Sequence, residues 1–171
     1  MADLNSEVSG LGANSYLSRE ESDDMIEAFP PKIEDKWSEL EEDEKDYLLM
    51  EAARRVDEFK DDNGSSWGPP KVSGQALVFP RACDDGIPAE VKTAVMEYVA
   101  YRLDGRKVAI KEAQEEGVTS AGIMGQSMGL GPDKTGLPAG ARRQLANLTT
   151  RYWPKATENR KVDGCDQPFF G

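Results

Sequence analysis

The chain has 171 residues, 38% of them hydrophobic and 31% charged, enough to bury one core without metals or disulfides. It contains no histidine, which removes the commonest neutral-pH base and metal ligand and lowers the standing of hydrolases, metalloenzymes and acyl transferases. A formal net charge of −11 argues against a freestanding nucleic-acid binder, because phosphate neutralisation needs clustered Lys and Arg. The charge is uneven. Residues 1–62 carry 20 acidic and 7 basic residues, whereas residues 63–171 carry 12 and 14. An acidic half of this kind either keeps the chain soluble, faces a basic partner, or repels DNA that must slide past it. Cys83 and Cys165 permit one disulfide at most and lack metal-ligand spacing, so two free thiols in a reducing cytoplasm are expected. No signal-peptide pattern opens the chain and no apolar stretch has the length of a membrane span, which predicts a soluble protein without membrane contact.

In chain order, residues 1–13 are small and polar and read as a flexible arm. Ser18 with Glu21 has the form of a capping box, predicting a short helix over 19–28 that Pro30 and Pro31 stop. Ser38 with Glu41 forms a second box, opening a helix over 39–60 whose first turns are crowded with acids where the helix dipole favours them. Its apolar stripe runs through Leu48, Ala52, Val56 and Phe59, flanked by Leu49 and Ala53. Residues 61–74 read as a loop, and Gln75 to Arg81 as a short apolar run lying extended against the helices. Asp85-Gly86-Ile87-Pro88 is a turn with proline at the first position of a third helix. That helix has Val91, Val95, Tyr98, Val99 and Leu103 on one face, and its pattern extends past Gly105 towards Glu116. Residues 117–140 hold seven glycines and no aromatic, and read as a mobile or partner-ordered loop. A last helix starts near Pro138, carries Leu145, Leu148 and Tyr152 on one face, and ends at Pro154. The fold class that follows is mainly α, a small helical bundle with long loops and an extended C-terminal tail over 154–171.

Chemistry is scarce in this pattern. The glycine-rich loop lacks the GxxxxGK[ST] spacing of a phosphate cradle, and Gly129-Leu130-Gly131-Pro132 puts proline where a donor N–H would be needed. The acid pairs Asp23/Asp24, Asp61/Asp62 and Asp84/Asp85 read as turn and capping residues, and no window shows a calcium-loop series. No catalytic residue, metal ligand or cofactor site is therefore expected, and the chain is read as a non-enzyme. Trp37, Trp67 and Trp153 sit near element boundaries, where an aromatic either seals a small core or anchors an interface. Phe169 and Phe170 on a polar tail have no evident core of their own and are candidates for docking onto a partner or a neighbouring copy. Candidate contact residues are thus Trp153, Phe169 and Phe170, with Ile123, Met124, Met128 and Leu130 from the glycine-rich loop.

The order of segments carries a resemblance. Asn14-Ser15-Tyr16-Leu17-Ser18 leads into a short acidic helix, a tryptophan, and a helix ending Glu51-Ala52-Ala53-Arg54-Arg55-Val56-Asp57. The Gln75-Ala76-Leu77-Val78-Phe79-Pro80-Arg81 run, the Asp85-Gly86-Ile87-Pro88 turn and a last helix before an aromatic follow. Over residues 14–153 this resembles the head–tail connector adaptors of tailed bacteriophages, relatives of which are sometimes labelled DnaT-like single-stranded DNA-binding proteins. The chain departs from that pattern in its more acidic stretch after Trp37, its glycine- and methionine-rich loop and its long tail. The resemblance implies a ring, dodecameric, beneath the portal of the filled capsid, with the portal protein and a downstream neck or tail-completion protein as partners. Genomic DNA would pass through its channel without sequence-specific binding. Synthesis in the host cytoplasm and residence in the virion neck follow from the same reading. The alternative is a single-stranded DNA-binding module, which would need a groove of cations interleaved with aromatics.

Overall fold

The computed structural model describes residues 3–59, 70–82, 84–104, 120–123, 126–129 and 137–152. Helix α1 spans Arg19–Ile26 and begins as its sequence predicts. The Ser18 hydroxyl accepts from the Glu21 N–H, and the Glu21 carboxylate accepts from the Ser18 N–H, both at 3.2 Å. Two orphan donors of the first turn are thereby satisfied.

The next stretch differs from its sequence reading. Pro30 and Pro31 do not simply stop α1; they open a helix α2 over Pro31–Ser38. Proline is suited to that place, since its φ is already helical and the N–H it lacks would have had no intrahelical partner. Ile33 and Trp37, four residues apart, form its buried face. Ser38 therefore ends a helix rather than capping one, and its hydroxyl donates to the Asp35 carbonyl at 2.7 Å. Glu41 takes over as cap of α3, Glu42–Asp57, in a box with Glu44, whose carboxylate accepts the Glu41 N–H at 3.0 Å. The buried stripe of α3 is Leu49, Ala52, Ala53 and Val56, with Leu48 only half-buried. Phe59, just past the end of α3, is buried too, so the predicted stripe holds at Ala52, Val56 and Phe59, and Leu48 is the one member that gives way to its flank Leu49.

Helix α4, Ala89–Leu103, is the hub of the bundle and packs against α1, α2, α3 and the last helix. Its predicted face of Val91, Val95, Tyr98 and Val99 is buried, and so are Ala94, Met96 and Ala100. A helix with neighbours on several sides must be apolar nearly all round. Asp104 turns out of the helical region at ψ 82, which ends α4 at Leu103. The predicted continuation towards Glu116 falls on residues outside those described. Strands β1 (Ser120–Ile123) and β2 (Gln126–Gly129) form an antiparallel hairpin in the register Ser120 to Gly129. Part of the segment read as a loop over 117–140 is therefore paired. Helix α5, Ala139–Tyr152, lies on α4 with Leu145 and Leu148 buried, as its spacing predicts. Among the described residues the architecture is mainly helical.

The N-terminal segment is not a loose arm from residue 3 onward. The Asn5 N–H donates to Asn14 Oδ1 at 2.8 Å, and the Asn5 carbonyl accepts from Asn14 and Ser15 at 2.8 and 3.1 Å. Ala76 adds a bond to the Gly10 carbonyl at 3.3 Å, and Leu4 packs against the core. Sequence polarity gave the wrong expectation here because the segment is held by backbone groups, which every residue carries.

Candidate interaction surface

Three motifs far apart in sequence meet at one buried point. Tyr16, from the segment before α1, donates its hydroxyl proton to Asp57 at the end of α3. The Tyr16 oxygen accepts the Phe79 N–H at 3.1 Å, and Asp57 Oδ2 accepts the Val78 N–H at 3.3 Å. Tyr16 and Phe79 meet edge to face with centroids 6.1 Å apart, and the Arg81 guanidinium lies 5.5 Å from the Phe79 ring centre. Burial pushes the Tyr16 hydroxyl far above its ordinary range, and the adjacent Asp57 carboxylate pushes it further. Burial likewise raises Asp57, to about 6, against the opposing effect of the Tyr16 and Val78 bonds.

Gln75 organises the run that reaches this point. Its side-chain NH2 donates to the carbonyls of Leu77 at 2.8 Å and Pro80 at 3.0 Å, while its oxygen accepts the Val72 N–H at 3.1 Å. Asp84 is a turn residue, as expected, accepting the Arg81 N–H at 2.7 Å. Tyr16 and Asp57 stand in the quoted motifs with no role assigned by sequence, and nothing in their polar surroundings singles them out as a pair.

Among the described residues, acids crowd one exposed corner. Glu34, Asp35, Glu39, Glu41, Glu42, Asp43 and Glu44 are all exposed around the α2–α3 corner. Many nearby cations are already committed. Arg19 pairs with Glu42 and with Asp46 at 2.7 Å, Lys45 with Asp23 at 3.0 Å, Arg55 with Glu58 at 3.1 Å, and Arg102 with Glu51 at 3.5 Å. Lys36 and Lys71 donate instead to backbone carbonyls, Leu103 and Asp85 among them. Trp37 is a core residue whose indole N–H donates to Asp23 at 2.7 Å. Burial works against ionisation of Asp23, but the Trp37 and Lys45 bonds outweigh it and hold the carboxyl below its ordinary value. Trp37 thus seals the core rather than anchoring an interface.

Of the candidate contact residues, Ile123 lies at the end of β1 opposite Gln126, and Met128 lies in β2 opposite Ala121. Met124, Leu130, Trp153, Phe169 and Phe170 fall outside the described residues, as do Trp67, Cys83 and Cys165. Among the described residues no helix is long and apolar enough to cross a membrane.

Residues 7–125 match the family described as "Putative DnaT-like ssDNA binding protein". The chain belongs to this family. The DnaT-like match takes in the N-terminal segment from Glu7, α1 to α4, the Tyr16–Asp57 junction and β1, and leaves β2 and α5 outside. No curated relative and no solved structure matches the chain.

Proposed function

We propose that the chain is a non-enzymatic assembly protein, a head–tail connector adaptor that forms a ring under a phage portal and offers a platform to the next neck or tail protein. The observation that carries this reading is where the motifs of the resemblance lie. Tyr16, Leu17, Phe79 and Arg81 are all buried. Motifs of this kind preserve a shape, and a protein whose working part is its shape is an assembly protein. The acidic α2–α3 corner adds support, since DNA can pass an acidic wall without adhering to it. Cryo-electron microscopy of the parent particle tests the proposal. Density for a ring of this chain between portal and tail is the expected result, and its absence from intact particles would reject the reading.

A second reading, capture of single-stranded DNA, is favoured by the family description. It requires free cations beside stacking aromatics, with binding that weakens steeply as salt rises. Fluorescence anisotropy with an oligonucleotide at low salt separates the two. A flat titration removes the DNA reading, and saturable, salt-sensitive binding brings it ahead.

A further inference from the structure

The α2–α3 corner carries an open groove of about 450 Å3 lined by Leu40, Asp43, Glu44, Tyr47 and Leu48. That volume lies within the roughly 300–1,000 Å3 typical of binding pockets. Asp43 with Tyr47, and Glu44 with Leu48, are pairs four residues apart on α3, so two parallel rows each run from an acid to an apolar side chain. Together they make an apolar floor with an acidic lip. Tyr47 is 49% exposed, a high figure for a ring bordered by two half-buried leucines.

Elsewhere in the chain is a segment of matching chemistry. Residues 151–161, Arg-Tyr-Trp-Pro-Lys-Ala-Thr-Glu-Asn-Arg-Lys, hold four basic residues and one acidic in a protein of net charge −11. Trp153 stands between Arg151 and Lys155. Tryptophan and arginine are the side chains most enriched at the energetic centres of protein interfaces.

We infer that this groove receives residues 151–161 of a second copy of the chain, with Trp153 on Leu40, Tyr47 and Leu48 and the flanking cations against Asp43 and Glu44. The occupant is a second copy because the groove faces away from the segment's own root. Tyr47 lies roughly 200° around α3 from Leu49, at about 100° per residue. Leu49 is on the buried face of α3, which packs on α4, and α4 also carries α5. The contact is heterologous: each copy gives a segment to one neighbour and a groove to the other, which closes into a ring when the rotation permits. The inference rests on the self-assembly part of the reading above and needs neither portal nor DNA.

Sedimentation velocity of the full chain tests it. Wild type is expected to associate as concentration rises. An Asp43→Lys/Glu44→Gln variant, which keeps a side chain able to close the α3 capping box, should weaken association by about tenfold or more. An Arg151→Glu/Lys155→Glu variant should do the same. Mixing the two should restore association, because each then offers a surface opposite in charge to the other's. Circular dichroism checks that each variant folds. A wild type that stays monomeric, a variant that associates unchanged, or a mixture that fails to recover would overturn the inference. If association follows the charges but intact particles lack the chain, the inference stands and the neck reading falls. A neck ring that assembles normally from the groove variant gives the reverse.

Discussion

Tyr16 and Asp57 satisfy one another in a place where neither would be tolerated alone. In Tyr16→Phe, Asp57 loses a donor and the buried Phe79 N–H loses its acceptor. Leaving a buried polar group unpaired costs about 1–3 kcal/mol, so urea denaturation of this variant should show a stability loss of that order. Asp57 adds a pH dependence. Burial raises its carboxyl from 3.8 to about 6, so between those values the folded chain binds more protons than the unfolded chain. The contribution of this group to stability is therefore fully present below about pH 4 and is lost as pH rises through about 6. Thermal unfolding of wild type and Asp57→Asn across that window should show wild type losing ground to the variant as pH increases. A gap moving the other way would mean that the junction prefers the ionised carboxylate.

At the scale of elements, capping residues and apolar spacing decided most of what was legible. The Ser18–Glu21 box placed the start of α1, and the spacing of Leu145 and Leu148 placed α5. Helix α2 was missed because a proline pair reads equally as a stop and as a start, and only the packing of Ile33 and Trp37 separates the two. With α2 in place, Ser38 becomes a helix end and the α3 cap passes to Glu41. The face that α3 buries was also set by its neighbours, which take Leu49 fully and Leu48 in part. Leu49→Ala should accordingly cost about 2–5 kcal/mol, as expected for a fully buried leucine, and Leu48→Ala distinctly less. Equal losses in chemical denaturation would mean that the two leucines are buried alike.

For the molecule as a whole, the N-terminal segment and the Gln75–Arg81 run act as straps that lash the helices together from outside. Both are irregular, and both are fixed by hydrogen bonds to backbone groups, many of them from the Asn14 and Gln75 side chains, rather than by apolar periodicity. Deleting residues 1–13 removes the Asn5 bonds to Asn14 and Ser15 along with Leu4 and Ala13 from the core. The truncated chain should therefore unfold at lower denaturant than the full chain, by more than the ~0.5 kcal/mol typical of surface changes. An unchanged midpoint would mean that the segment is a passive arm after all.

The amino-acid sequence by itself determined that this protein is mainly helical, where four of its five described helices fall, and that its acidic charge is gathered in the first third of the chain. Those properties are local or additive: caps, periodicity and composition act over a few residues or sum over many. The tertiary structure alone decided that α4 is the hub, that Tyr16, Asp57 and Phe79 share one junction, and that Leu40, Tyr47 and Leu48 border a groove. Each of these depends on residues tens of positions apart, or on the rotation of a helix about its own axis. Neither is written in local sequence, because packing against several neighbours at once selects them.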